Sequence, residues 1–269
     1  MLNVYIIFLL LNVQYLWNNI MEELFITGAG VSVSSGIPTF RGNDGFWTIG
    51  SLNYTPQEMA TRSMFINNPS EFLLWYFKRF ASYRNVKPNS SHFWLSDKNL
   101  ITQNIDGLDG KAGNTDYISI HGRLDKMVIY KDEMDEQIPI NAAWDDINLN
   151  DDCSDELLKI KLLKKFLINK KLKPELGISL KPYVLLFDEI YTDLYGISDA
   201  EKWMNSAKKI IFIGTSFSVN ITTIALKIAV SRRIKIEVVD PDPVKLNYDN
   251  IIYHNITAEE YCDMRKFKD

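Results

Sequence analysis

Apolar residues along this chain fall in short runs separated by longer stretches with helical spacing. The runs are Glu23–Thr27 (ELFIT), Asn99–Thr102 (NLIT), Tyr117–Ile120 (YISI), Tyr183–Phe187 (YVLLF), Lys209–Ile213 (KIIFI) and Ile234–Val239 (IKIEVV). Each is mostly apolar on both faces, the pattern of strands buried inside a parallel sheet. Between them, Pro69–Tyr83 carries Phe72, Trp75, Tyr76, Arg79 and Phe80 three or four residues apart, which predicts a helix. Ile221–Ser231 is apolar and is followed by Arg232 and Arg233, cations that suit a helix C-terminus. Strands alternating with helices predict an α/β fold, a Rossmann-like doubly wound parallel sheet.

Two segments break the alternation. Residues 125–181 show no clear strand pattern and are rich in charge. Within them, Asp151–Glu156 is acidic and Lys159–Lys173 is rich in lysine. Acid first and base last complements a helix dipole and predicts a solvated amphipathic helix, with a lysine face for an anionic partner as the alternative. The expected division is residues 21–124 and 182–269 as the α/β domain, with 125–181 as a small insertion domain. Residues 1–20 are mostly apolar, but lack the leading cations and cleavage site of a signal peptide. They read as an extension upstream of Met21, as a docked first element, or as an anchor whose apolar core is half a membrane span.

Composition narrows the classes. The hydrophobic fraction of 46% and charged fraction of 24% are those of a globular chain rather than a disordered one. A net charge of −4 argues against non-specific binding to nucleic acid. No membrane partner is expected, and a cytoplasmic location is. With only two cysteines, Cys153 and Cys262, and three histidines, neither a disulfide framework nor a thiolate zinc site can form. No metal site is expected. The insertion is predicted to be zinc-free and held by Trp144, Ile147, Leu157, Leu158, Leu162 and Phe166.

The first strand ends in Gly28-Ala29-Gly30, a turn whose second glycine allows close backbone approach to a pyrophosphate. Val33 stands where the full dinucleotide fingerprint has a third glycine, so the turn alone also fits an ordinary strand–helix junction. The following residues are more specific. GAGVSVSSGIPTFRG (Gly28–Gly42), Thr102-Gln103-Asn104-Ile105-Asp106-Gly107-Leu108, Ala112-Gly113, His121-Gly122 and Gly214-Thr215-Ser216 resemble, in order and spacing, the signature of the sirtuin family. The resemblance covers most of the chain outside residues 1–20 and 125–181.

The resemblance implies NAD as cofactor, held by Gly28, Ala29, Gly30, Ser32, Ile37, Pro38, Phe40, Arg41, Gln103, Asn104, Asp106, Gly214, Thr215, Ser216 and Asp240. It implies that Phe40 shields the ribose, that Asn104 and Asp106 hold nicotinamide and the adjoining ribose, and that His121 is the general base for a ribose hydroxyl. His121, Asn104 and Asp106 are thus the expected catalytic residues. His121 suits that role because its free pKa lies near neutrality. His92 and His254 match nothing and read as structural or surface groups. The implied activity is loss of nicotinamide from NAD with transfer of an acyl group from a protein lysine to ADP-ribose. Protein ADP-ribosylation, NAD hydrolysis and non-enzymatic NAD sensing are the alternatives. Three departures stand out: the missing zinc cysteines, Asp109 where the family generally has His, and Asp188 in Phe187-Asp188-Glu189 where it has Gly. The last puts ordinary acetyl-peptide binding in question.

Overall fold

A computed structural model of the chain describes residues 21–39, 54–131, 137–147 and 154–266. The stretch 1–20, Phe40, Arg41 and Cys153 lie outside the described residues. In chain order the strands are β1 (Met21–Thr27), β2 (Leu100–Thr102), β3 (Ile118–Ser119), β4 (Gly122–Ile129), β5 (Ile140–Asn141), β6 (Leu180–Val184), β7 (Ala207–Ile213), β8 (Lys235–Val239) and β9 (Ile251–His254). Likewise the helices are α1 (Pro56–Met59), α2 (Arg62–Asn67), α3 (Pro69–Tyr83), α4 (Ser90–Leu95), α5 (Leu108–Lys111), α6 (Asp155–Lys165), α7 (Ile197–Ser206), α8 (Asn220–Arg232) and α9 (Ala258–Lys266).

Six strands form an all-parallel sheet in the order β3-β2-β1-β7-β8-β9. This is the doubly wound arrangement, and the order reverses between β1 and β7. Thr27 pairs with both Thr102 and Ile213, so three strand ends lie level at that reversal. Leu24, Ile26, Phe212 and Val238 are buried on one face of the sheet, with Met204, Ile221 and Ala225 from α7 and α8. Phe25, Ile211, Ile213 and Val239 are buried on the other, with Trp94, Leu95, Tyr261 and Cys262 from α4 and α9. Burial on both faces explains the apolar runs. The edge strand β9 escapes that pattern because none of its four residues is fully buried.

A second, three-stranded antiparallel sheet has the order β5-β4-β6. Here the structure corrects the sequence reading. The apolar run Tyr183–Phe187 is not a strand of the parallel sheet. Its first residues end β6, which pairs antiparallel with β4, and Leu185–Phe187 leave the sheet to line a cavity. A short apolar run does not reveal whether its partners are parallel. Strand β4 lacks a clean period of two because its register with β6 shifts between Gly122 and Met127.

The small layer is packed around an indole. Trp144 is fully buried among Phe77, Phe80 and Phe166, and its Nε1 donates to the Leu124 carbonyl at 3.0 Å. Ile147, Leu158 and Leu162 are buried with it, but Leu157 is 51% exposed and does not belong to this core. Helix α3 is embedded in this layer, packed against α1, α2, α6 and β4, which is why Phe72, Leu73, Leu74, Trp75, Tyr76 and Phe77 are all buried. The layer therefore draws on elements on both sides of residues 125–181. Helix α6 has the expected polarity, capped by Ser154 and ending with Lys164 and Lys165. It stops well before Lys173, so the lysine run is not one helical face. Lys159 pairs with Glu71 and Glu156, and Lys165 with Asp146.

Candidate active site

Two turns meet at the sheet reversal. Gly28-Ala29-Gly30 follows β1 and leads into a 3-10 helix over Ala29–Ser35, and Gly214-Thr215-Ser216 follows β7. Gly30 N–H donates to the Gly214 carbonyl at 2.9 Å. A Cβ on Gly30 would lie 2.6 Å from the Gly214 Cα, and one on Gly214 would lie 2.7 Å from the Gly30 Cα. The missing side chain at Gly30 thus first serves the contact between the turns.

The joined turns floor a cavity of about 520 Å³. Of the expected site residues, Gly28, Ala29, Gly30, Gln103, Asn104, His121, Gly214, Thr215, Ser216 and Asp240 line it. Asp106 and Ile37 instead line a neighbouring cavity of about 220 Å³, and Ile105 borders both. Ser32 is buried behind them and Pro38 is half-buried, and neither is among the residues lining these cavities. Phe40 and Arg41, outside the described residues, follow directly on Thr39, which does line the larger cavity.

Hydrogen bonds behind the wall fix its polar groups. Ser32 Oγ donates to Asp106 Oδ2 at 2.7 Å and accepts from Asn104 Nδ2 at 3.3 Å. Asn104 Nδ2 also donates to the Gly28 carbonyl at 3.1 Å. Asp106 Oδ1 accepts from the Leu108 N–H at 2.9 Å, which caps α5. His92 is structural, but not idle. Its Nε2 lies 3.4 Å from Ser32 Oγ. Thr102 Oγ1 accepts from Thr27 Oγ1 and from the Asn104 N–H, and it also hydrogen-bonds the buried Asp109. Burial, with the nearby Asp106 charge, pushes the Asp109 carboxyl up to about 7. Among the described residues its Oδ1 has no hydrogen-bond partner.

His121 leaves the end of β3 into the cavity. Its Nδ1 is 2.9 Å from the Gln103 carbonyl oxygen, which can only accept, so Nδ1 carries a proton. Burial depresses the imidazole to about 4, so the ring is neutral near pH 7 and Nε2 holds the lone pair. Tyr191 Oη lies 2.9 Å from Nε2 and donates to it. The two rings stack with centroids 5.8 Å apart. Sequence reasoning missed Tyr191, which sits four residues beyond Phe187 with no motif of its own.

The far wall of the cavity is apolar, formed by Ala60, Tyr76, Ile105, Val184, Leu186 and Phe187. Asp188 does not aim its charge there. Its oxygens accept the Arg62 and Ser63 backbone N–H groups at 2.6 and 3.0 Å, so the carboxylate caps α2. Glu189 is buried against Arg62 and Lys181 and accepts the Leu186 N–H.

These residues fit a dinucleotide. The site lies beyond the carboxyl ends of β1, β7 and β8 at the sheet reversal, where open α/β folds bind nucleotides. Thr215, Ser216 and Ser218 present hydroxyls on that side, and Asp240, half-buried at the end of β8, presents a carboxylate suited to ribose hydroxyls.

Comparison with known proteins agrees with that geometry. Residues 28–221 match the model of the Sir2 family. The chain is 29% identical over 248 residues to NAD-dependent protein deacylase 1 of Caldanaerobacter subterraneus subsp. tengcongensis, covering 88% of this chain and 89% of that protein. It is 31% identical over 202 residues to the NAD-dependent protein deacylase of Pyrococcus abyssi, covering 72% of each. Among solved structures, a Sir2 homologue in complex with NAD superposes with a TM-score of 0.69 at 27% identity, over 92% of this chain and 91% of that one. The family match runs unbroken from the turn after β1 through the turn after β7, and this chain belongs to the Sir2 family.

Proposed function

We propose that the protein is an NAD-dependent protein-lysine deacylase. NAD, when bound, supplies the ADP-ribose that accepts the acyl group. In this reading the turns at Gly28–Gly30 and Gly214–Ser216, with Asp240, hold the nucleotide half. Phe40 and Arg41 would contribute from the segment after Thr39. Asn104, with Asp106 from the adjoining cavity and both fixed by Ser32, orients the nicotinamide end, and His121 takes a proton at Nε2. The apolar wall admits the acyl-lysine chain and excludes water from it.

The observation that carries this reading is the single cavity in which Asn104 and His121 stand between the glycine floor and an apolar wall. That wall suits an apolar acyl-lysine stem better than water alone. The Asp188 carboxylate that had weighed against a peptide is engaged with the first amides of α2. As a division of labour, residues 125–181 belong to the small layer together with α1–α3 and the end of β6, and the remainder of 21–124 and 182–269 carries the nucleotide side. A cytoplasmic acylated protein is the proposed partner. Among the described residues no helix is long and apolar enough to cross a membrane.

The test is labelled NAD incubated with a panel of acyl-lysine peptides. Acylated ADP-ribose and free lysine are the expected products. Free ADP-ribose whatever the peptide would mean hydrolysis, and label on protein would mean ADP-ribosyl transfer.

A further inference from the structure

The base proposed above has no open lone pair. Nδ1 of His121 is committed to the Gln103 carbonyl, and Nε2 accepts from the Tyr191 hydroxyl. Tyr191 itself lines the cavity. Its hydroxyl is also faced by the Ile221 backbone N–H, in the first turn of α8, where helix N–H groups have no partner within the helix. The phenolic oxygen therefore donates its proton to Nε2, accepts one N–H, and keeps a second lone pair for a donor in the cavity.

We infer that Tyr191 is the proton relay through which His121 acts. This rests on the deacylase reading. The substrate hydroxyl gives its proton to Tyr191 Oη as the Tyr191 proton passes to His121 Nε2. One O–H bond breaks and one forms at Tyr191, which stays neutral throughout. The substrate oxygen keeps the electron pair, and the imidazole becomes a cation held by Gln103 and Tyr191. Swinging Tyr191 aside instead would break its contacts with Nε2 and with the α8 N-terminus together. The relay needs no such movement, and its protein heavy atoms are already within hydrogen-bond distance.

Tyr191→Phe keeps the ring and removes only the hydroxyl. The first readout needs no NAD: 15N spectra of the three imidazoles, assigned with His121→Gln. The His121 Nε2 resonance should shift in Tyr191→Phe, because its hydrogen bond is gone. The second readout compares acyl transfer with nicotinamide exchange. Acyl transfer should fall on the order of 10²–10⁴-fold, the weight of a proton transfer in the transition state. Exchange should fall far less, with the loss in kcat rather than KM.

An unmoved Nε2 resonance overturns the relay. So does acyl transfer within about two-fold of wild type, since general-base loss is far larger. A parallel loss of both reactions would mean a structural role and overturns it too. If the wild-type protein itself transfers no acyl group from any peptide, the deacylase reading falls, and with it the step the relay serves.

Discussion

Gly30 and Gly214 are each other's packing partner: the Gly30 N–H donates to the Gly214 carbonyl at 2.9 Å, and neither residue has room for a Cβ. Gly214 adds a φ of +61°, in the left-handed region. Gly30→Ala should therefore lower the stability of the ligand-free protein by about 1–3 kcal/mol through overpacking. Gly214→Ala should cost more, because backbone strain adds to the clash. Denaturant unfolding without NAD measures both. A Gly30→Ala protein of normal stability that has only lost NAD binding would mean that the residue faces the ligand rather than the other turn.

Asp109 sets a pH dependence of stability. Its carboxyl is pushed up to about 7 by burial and by Asp106, while in the unfolded chain it titrates near 4. Between those values the folded state binds the extra proton, so stability falls as pH rises from about 4 to about 7 and then levels off. Asp109→Asn removes the titration. The variant should gain on wild type steadily across that window, with the largest difference in melting temperature above pH 7. Parallel stability curves for the two proteins would refute the assignment.

His121 has the opposite sign. Its folded value of about 4 lies below the ordinary histidine value near 6.5. The folded state thus loses stability as pH falls through that interval. In the proposed role of base, His121 would stay unprotonated well into the acid range. The kcat/KM of acyl transfer should show no histidine-like fall between about pH 6 and 8. A profile at half its maximum near 6.5 would show that the ring is solvated in the working enzyme.

Trp144 takes the place of a cross-link at the centre of the small layer. It is fully buried between three phenylalanines and its indole N–H is satisfied. Trp144→Ala should cost about 3–5 kcal/mol, the usual penalty for emptying an aromatic site. A chelator should leave the wild-type melting temperature unchanged. A chelator-sensitive melt with stoichiometric zinc would contradict this account.

What the sequence disclosed follows from how each feature is encoded. The inner parallel strands were legible because both their faces are buried, as Ile210–Ile213 show. Helix α3 was legible from end to end because Pro69 opens it and its apolar spacing is continuous. Strand β4 was hidden by a register shift, and β9 by its half-exposed edge. In the site, contiguous motifs revealed the turns, Asn104 and His121. They could not reveal that Asp106 and Ile37 face a second cavity, since Ile105 divides the two spaces. Tyr191 and Asp188 act through partners 70 and 126 residues away, Nε2 of His121 and the Arg62 amide. Separations of that kind leave no local pattern to read.

The segment Phe187–Tyr191 behaves as a mechanical linkage. Its Phe187 N–H holds the Ala60 carbonyl, Asp188 grips the start of α2, Glu189 is locked to Lys181 and Arg62, and Tyr191 ends on the imidazole. Four attachments within five residues leave little slack in the chain between wall and base. A molecule that prises α2 outward therefore tugs on the hydroxyl at His121 without approaching it. The rim of the apolar wall and the imidazole are thus tied together through five residues of chain.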